Sequence, residues 1–222
     1  MWRELLDVCY PPRCASCDAL SAAPFCATCS ASLYRVGSPL CPRCGLPFEG
    51  GADHLCAECH AHPPPFLCAR AALRYGGELQ RAILRLKFAS RPDLARRLGP
   101  SMPPLPPCDV VVPVPLHWRR LARREYNQAL LLARAAWPGT RIDPFALART
   151  RDTPPQAGLR GAQRRTNLRG AFSASPGRVT GRRVVLVDDV LTTGTTAAEC
   201  TRTLLGAGAT AVEVVTLART VA

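Results

Sequence analysis

Apolar and polar positions follow two regimes along this chain. Val184-Val185-Leu186-Val187 is a continuous β-favouring apolar run, the mark of a parallel strand buried on both faces, and two acids and a hydroxyl-rich turn follow it. The spacing then predicts a helix over 196–205, stopped by Gly206 and Gly208, and another strand over 211–218. Upstream, the pattern predicts a strand over 69–75, an amphipathic helix over 78–88, a second helix over 93–98, a strand over 109–112 and a helix over 126–136. Residues 100–107 read as a proline-rich connector and 1–7 as a short amphipathic helix. Strands alternating with helices point to an α/β fold, a mostly parallel sheet flanked by helices, with ligands bound beyond the carboxyl ends of the strands.

The first 62 residues show neither period. What recurs there is C-x-x-C: Cys14/Cys17, Cys26/Cys29, Cys41/Cys44 and Cys56/Cys59. Each such turn aims two thiolates at one ion, and two turns complete the tetrahedral sulfur shell of a closed structural zinc site, so four turns supply two Zn2+ sites. Disulfides, the competing use of these cysteines, belong to oxidising compartments. Of the three ways to partner four turns, joining successive ones (14/17 with 26/29, 41/44 with 56/59) closes the shortest loops and is the expected arrangement. In Cys41-Pro42-Arg43-Cys44-Gly45, proline presets the turn and glycine tolerates a positive φ. His54, His60 and His62 read as surface loop residues, and Cys9, Cys68, Cys108 and Cys200 as small core residues. A segment of this length buries little apolar surface alone, so metal supplies the missing folding free energy. Residues 1–62 are thus expected to form a double zinc-ribbon module and 63–222 a second domain, with Pro63-Pro64-Pro65 as a stiff hinge.

Charge separates the same two parts. The net charge is +13, yet residues 1–62 hold four arginines against six acids, while 63–222 hold the other 25 bases against ten acids. Attraction for phosphate or nucleic acid is therefore expected of the second part, although an arginine bias this strong also fits codon usage. No run approaches the roughly 18 apolar residues of a membrane span, and charges at Arg3, Glu4 and Asp7 interrupt any secretory signal. The expectation is a cytoplasmic protein without membrane insertion.

The chemistry concentrates in Asp188-Asp189-Val190-Leu191-Thr192-Thr193-Gly194-Thr195-Thr196. Backbone N–H groups at a turn and helix start, with the hydroxyls of Thr192, Thr193, Thr195 and Thr196, suit a dianionic phosphate, and Gly194 lets the turn close. Asp188 and Asp189 cannot sit on that phosphate without repulsion; sugar hydroxyls and a Mg2+-bound ligand are their natural partners. Sugar acids beside a phosphate cradle specify a ribose 5-phosphate. An ATPase P-loop is excluded because G-x-x-x-x-G-K-[ST] is missing, and no G-x-G-x-x-G occurs either. Lys87, the single lysine in the chain, hints at a need for a compact ammonium, and a pyrophosphate contact would fit.

This run resembles the type I phosphoribosyltransferases, which bind 5-phosphoribosyl-1-pyrophosphate (PRPP) on an apolar strand, two acids and a T-T-G-x-T loop. Together with Pro113-Val114-Pro115-Leu116, Tyr126-Asn127-Gln128-Ala129, Gln156, Arg164 to Asn167, Gly170-Ala171-Phe172 and the four cysteine turns, the chain resembles the ComF family of competence-associated proteins from about Cys14 to Ala218. The resemblance implies that Asp188 and Asp189 hold the ribose hydroxyls and take the catalytic role, and that the 192–196 loop wraps the 5-phosphate. It implies that Pro113, Val114 and Pro115 approach the pyrophosphate, with Arg119, Arg120, Arg123 and Arg124 following and Asn127 and Gln128 at the same site. It further implies that 153–169 is a mobile loop reaching inward with Gln156, Arg164, Arg165 and Asn167. One departure stands out: Glu125 occupies the place where the family carries glycine before the aromatic-Asn-Gln group, and a carboxylate there would repel pyrophosphate. Three functions follow as expectations: pentosyl transfer from magnesium-bound PRPP in DNA uptake or nucleotide salvage; PRPP-responsive handling of single-stranded DNA; and a zinc-dependent scaffold for DNA-uptake proteins.

Overall fold

The computed structural model describes residues 11–152 and 168–221. Two short helices mark the cysteine-rich part, α1 (Ala27–Ala31) and α2 (Ala57–Ala61). After them come β1 (Ala69–Arg74), α3 (Gly77–Phe88), α4 (Asp93–Leu98), β2 (Val110–Pro113), α5 (Trp118–Arg124) and α6 (Gln128–Ala136). The chain continues with β3 (Leu147–Arg149), β4 (Phe172–Ala174), α7 (Pro176–Val179), β5 (Arg183–Leu191), α8 (Thr195–Gly206) and β6 (Ala211–Arg219).

Among the described residues, four strands form a parallel sheet in the order β1-β6-β5-β2, and β3 and β4 form a separate antiparallel pair. The apolar run of β5 is central and buried on both sides, as its lack of alternation predicts. One difference from the sequence pattern matters: β5 does not stop at Val187 but continues through both acids to Leu191. The reason is tertiary, because β6 runs alongside and pairs Asp188 with Thr216, Val190 with Ala218 and Leu191 with Arg219.

Helix α3 shows why sequence period and packing agree. Leu79, Ala82, Ile83 and Leu86 recur at helical spacing and are all buried, forming the stripe that packs on one face of the sheet. They join Val185, Val187, Leu132 and Leu217 in one core cluster; Val184, Leu186, Cys200 and Leu204 belong to a second cluster on the opposite face. Burying each leucine contributes roughly 1.5–3 kcal/mol.

The cysteine-rich part consists of two similar units. In each, a short antiparallel bridge (Arg13 with Leu20, Leu40 with Pro47) flanks the first C-x-x-C, and the second C-x-x-C opens a helix capped by Cys26 or Cys56. Contact with the sheet is close. Cys14, Ala15, Phe25 and Cys29 belong to the same core cluster as α3, and the backbone at Tyr34 and Val36 pairs with the outer edge of β1, Val36 N–H on Ala72 O at 2.9 Å and Arg74 N–H on Tyr34 O at 2.7 Å. That covers a strand edge that would otherwise be open. Arg85, on the flank of α3, donates to Ala15 O and Ser16 O, each at 2.9 Å, and pairs with Asp18, whose carboxyl it holds below the ordinary range.

Candidate functional site

Asp188 and Asp189 lie side by side near the carboxyl end of β5, close enough for their carboxyl groups to interact. Asp189 is 2% exposed and faces the α3 and α6 side. There Lys87 Nζ lies 2.5 Å from its Oδ2, and Gln128 Nε2 donates to Oδ1 at 3.2 Å. Arg124 in turn donates to Gln128 Oε1 at 2.6 Å, and its guanidinium lies 5.1 Å over the Phe88 ring. The last turn of α3, the end of α5 and the start of α6 thus converge on one carboxylate. Of the residues the sequence singled out, Lys87, Arg124, Gln128, Asp188 and Asp189 come together here.

The two acids are shifted in opposite directions. Burial alone would raise the Asp189 pKa, but the Lys87 ammonium together with hydrogen bonds from Asp188, Lys87 and Gln128 holds the carboxyl below its ordinary value. Burial likewise disfavours the Lys87 cation, yet Asp189 and Asp188 together raise its pKa. Asp188, by contrast, is pushed well above 3.8, first by burial and then by the neighbouring Asp189 charge. Its Oδ1 accepts the Asp189 N–H at 2.8 Å. Asp189 is therefore the carboxylate engaged by Lys87 and Gln128.

Three residues beyond β5, Gly194 adopts φ +76° and opens α8, with no side-chain cap on the helix. The first-turn N–H groups of a helix have no carbonyl partner within it, and here the exposed hydroxyls of Thr192 and Thr193 stand beside them, with Thr193 Oγ1 and Thr195 Oγ1 2.9 Å apart. Hydroxyls and helix-end amides at one place form an anion cradle.

The Pro113-Val114-Pro115 run is buried. Val114 N–H donates to Val187 O at 2.8 Å. Asn127 donates from Nδ2 to Val114 O at 3.0 Å, while its Oδ1 accepts the Ala129 and Leu130 N–H groups. Asn127 thus caps α6 and fastens this turn to it. Arg119 and Arg120 lie 3.6 and 4.0 Å from Asp152, which also faces buried His117 at 3.6 Å; the sequence pattern singled out neither Asp152 nor His117. Gln156, Arg164, Arg165 and Asn167 lie outside the described residues, as do Cys9 and the 1–7 segment.

Glu125 ends α5 with φ +69°, the left-handed conformation that favours glycine. Its side chain is exposed. The backbone at this position therefore favours glycine, independently of any pyrophosphate repulsion. Glu125→Gly is expected to stabilise the fold by about 0.5–1 kcal/mol, read as a rise in chemical-denaturation midpoint; an unchanged or lower midpoint would rule this account out.

The cysteines segregate into two groups, Cys14/Cys17/Cys26/Cys29 and Cys41/Cys44/Cys56/Cys59, the sulfurs of each within 4.8 Å of one another. Successive turns pair, as loop closure favoured. Cys17 and Cys26 sulfurs are 3.7 Å apart, as are those of Cys44 and Cys56, close to the ~3.75 Å edge of a tetrahedron with Zn–S of about 2.3 Å. The donor set fits structural zinc. No histidine joins either group; His54 stacks on Phe48 with centroids 3.9 Å apart. Gly45, at φ +66°, leaves no room for a Cβ, which would fall 2.6 Å from Ala69 O.

One buried cation escaped the sequence reading. Arg219, at the end of β6, is 8% exposed and lies between the second cysteine group and the threonine loop. A cavity of about 750 Å3 opens beside it, lined on one side by Leu46, Pro63 and Phe66 and on the other by residues 192–195. No sequence signal marked Arg219 among 28 arginines.

Comparison with known proteins places these features in context. Residues 5–60 match a double zinc ribbon domain and residues 148–221 a phosphoribosyl transferase domain. The chain is 38% identical to the DNA utilization protein YhgH of Escherichia coli K12 over 88% of its own length and 90% of that protein's. It is 31% identical to competence protein F of Haemophilus influenzae, over 86% and 90%. Among solved structures, the allosteric regulatory enzyme of purine biosynthesis is similar at 29% identity and a TM-score of 0.37, over 57% of this chain and 25% of that one. The fold is a phosphoribosyltransferase-like parallel sheet preceded by a double zinc ribbon, and no helix among the described residues is long and apolar enough to cross a membrane.

Proposed function

Since the chain belongs to the ComF family of competence and DNA-utilization proteins, we propose that it binds magnesium-bound PRPP at the carboxyl end of β5 and transfers the phosphoribosyl group in the service of DNA uptake or nucleotide salvage. The observation that carries this reading is the division of labour at the strand end. Asp189 is paired with Lys87 and hydrogen-bonded by Gln128, while Asp188 and the 192–196 loop stand together with an acid for ribose hydroxyls and a cradle for the 5-phosphate. In this reading Asp188 orients the sugar. Lys87 and Arg124 lie on the side where leaving pyrophosphate accumulates negative charge. A magnesium ion bound with the pyrophosphate would supply charge neutralisation there, and Asp188 would be the carboxylate to support it.

Calorimetry with Mg2+ and PRPP tests this. Asp188→Asn is expected to weaken binding by roughly 10- to 100-fold, the loss of a charged hydrogen bond, and absence of heat with the unmutated protein would end the proposal. A pH series sharpens the test. Because folded Asp188 titrates above 3.8, the folded state holds a proton that the unfolded chain has released, so this group's contribution to stability falls as pH rises from 3.8 through the raised value. A ligand that needs the ionised acid therefore binds more tightly as pH rises through the same window, and Asp188→Asn flattens that dependence.

A second reading, binding of single-stranded DNA, is favoured by α5. None of its residues is buried, Trp118 is 65% exposed with the Arg119 guanidinium 5.3 Å from its ring centroid, and Phe88 is 73% exposed beneath Arg124. Exposed aromatics interleaved with arginine suit base stacking along a phosphate backbone. Trp118→Ala is expected to reduce single-stranded DNA affinity by roughly 5- to 100-fold in a fluorescence-anisotropy titration, and equal affinity for the two proteins would remove this reading.

A further inference from the structure

The Arg219 guanidinium makes contacts that no surface arginine could keep. Nε donates to Cys44 O at 3.3 Å and Nη2 to Cys44 Sγ at 3.8 Å. Nη1 donates to Leu191 O at 3.1 Å, to Thr192 O, and to Thr220 O at 2.9 Å. One side chain therefore holds a ligand of the second cysteine group with one edge and the first residues of the threonine loop with another. Among the described residues, no carboxylate forms an ion pair with it. A cation this buried is costly unless compensated, and backbone carbonyls compensate it only in part. The second cysteine group would supply the missing anion when metal is bound, because four thiolates around Zn2+ carry two net negative charges, and Cys44 Sγ is the atom that Nη2 reaches.

We propose that Arg219 is a positioning residue that couples metal at the second cysteine group to the phosphate loop, so that the loop is held in its binding shape by a guanidinium whose counterion is the zinc thiolate cluster. The assignment of the loop as the phosphate cradle rests on the function proposed above; the coupling itself does not. Geometry gives it direction. Thr192 O is fixed at the entrance to the turn at Gly194, where φ is +76°, and the N–H groups of α8 point where that turn aims them. Without the guanidinium, Leu191 O and Thr192 O lose their shared donor; Leu191 O keeps Thr220 N–H at 3.1 Å and Thr220 Oγ1 at 3.5 Å. Coupling must run both ways: a phosphate ligand that orders the loop also strengthens the contact of Arg219 with Cys44. The Lys87 and Asp189 contacts lie on the other face of the sheet and do not share this path.

The test compares the full-length zinc-loaded protein with Arg219→Met, both shown by circular dichroism to be folded and by metal analysis to be loaded. Without any ligand, hydrogen exchange of the 190–198 amides is expected to quicken about tenfold in Arg219→Met, with the α3 amides unchanged. In cobalt-substituted protein, the thiolate-to-cobalt charge-transfer band is expected to shift on substitution, and addition of Mg2+ and PRPP should perturb it in the unmutated protein but not in the variant. If Arg219→Met does not fold, Arg219→Lys, which keeps the charge but loses the two-edged fork, is measured with the same expectation for the loop. Loop exchange equal to the unmutated protein's, or a cobalt band insensitive to the substitution, would overturn the coupling. Lack of PRPP binding by the unmutated protein would instead count against the proposed function, while the ligand-free exchange comparison still decides the role of Arg219.

Discussion

Asp189→Ala is expected to cost about 3–5 kcal/mol of folding free energy, the range for removing one partner of a buried ion pair. The magnitude comes from what remains behind. Lys87 is largely withdrawn from solvent and its ammonium faces the vacated carboxylate position; Gln128 loses its acceptor as well. Asp188, the nearest remaining acid, is held above its ordinary pKa by burial and does not replace the lost anion without cost. Replacing both partners with apolar groups removes the uncompensated charge, so Lys87→Met combined with Asp189→Leu should recover most of the loss. Guanidinium chloride denaturation of the two single variants and the double variant measures the cycle. A single-variant cost below about 1 kcal/mol, as exposed ion pairs give, would show that the pair is not buried in the sense described. The double variant should also fail to bind PRPP despite its recovered stability, which separates the structural role of the pair from its place in the proposed site.

Chelation of zinc is expected to have the larger effect on the whole chain. Cysteine-rich modules of this size often fold only with metal, and an independent module would unfold alone. Here Cys14, Ala15, Phe25 and Cys29 share a core cluster with Leu79, Ile83, Leu94 and Val187, while Arg97 donates to Ser21 O at 2.7 Å across the same contact. Loss of the first zinc site therefore opens the surface on which α3 and α4 rest. A loss on the order of 5 kcal/mol corresponds to a drop of roughly 10–20 °C in Tm for a domain of this length. Calorimetry with and without a strong chelator, with released zinc quantified, provides the measurement. One lowered transition is expected; release of zinc with the main transition unmoved would mean that the ribbon is only loosely attached.

The sequence carried more of this molecule than its composition suggests. Paired C-x-x-C turns announced two metal sites, since ligand spacing is a local property and loop-closure entropy favours successive turns. The apolar run at 184–187, the helix after Gly194 and the stripe Leu79-Ala82-Ile83-Leu86 were legible because period and burial coincide there. Even Lys87 stood out, as the one lysine in an arginine-rich chain. Its observed partner could not be read in the same way: the pattern suggested a pyrophosphate, but the end of α3 reaches the end of β5, and Asp189 is what waits there.

Glu125 teaches a related lesson. Residue type draws attention to its carboxylate; the fold adds that it occupies a left-handed φ at a helix end, a conformation that favours glycine. Backbone angle is set by where a helix must stop, which neighbouring elements determine. The difference between the two acids likewise required the structure, since residue type makes them equivalent and only the packing around each sets the direction in which its pKa moves. Arg219 is the extreme case: 175 residues separate it from Cys44, and nothing local distinguishes it from the other arginines. Local pattern determined the elements, the metal ligands and the loop chemistry, whereas the long-range packing that buries a charge decided which residues act on one another.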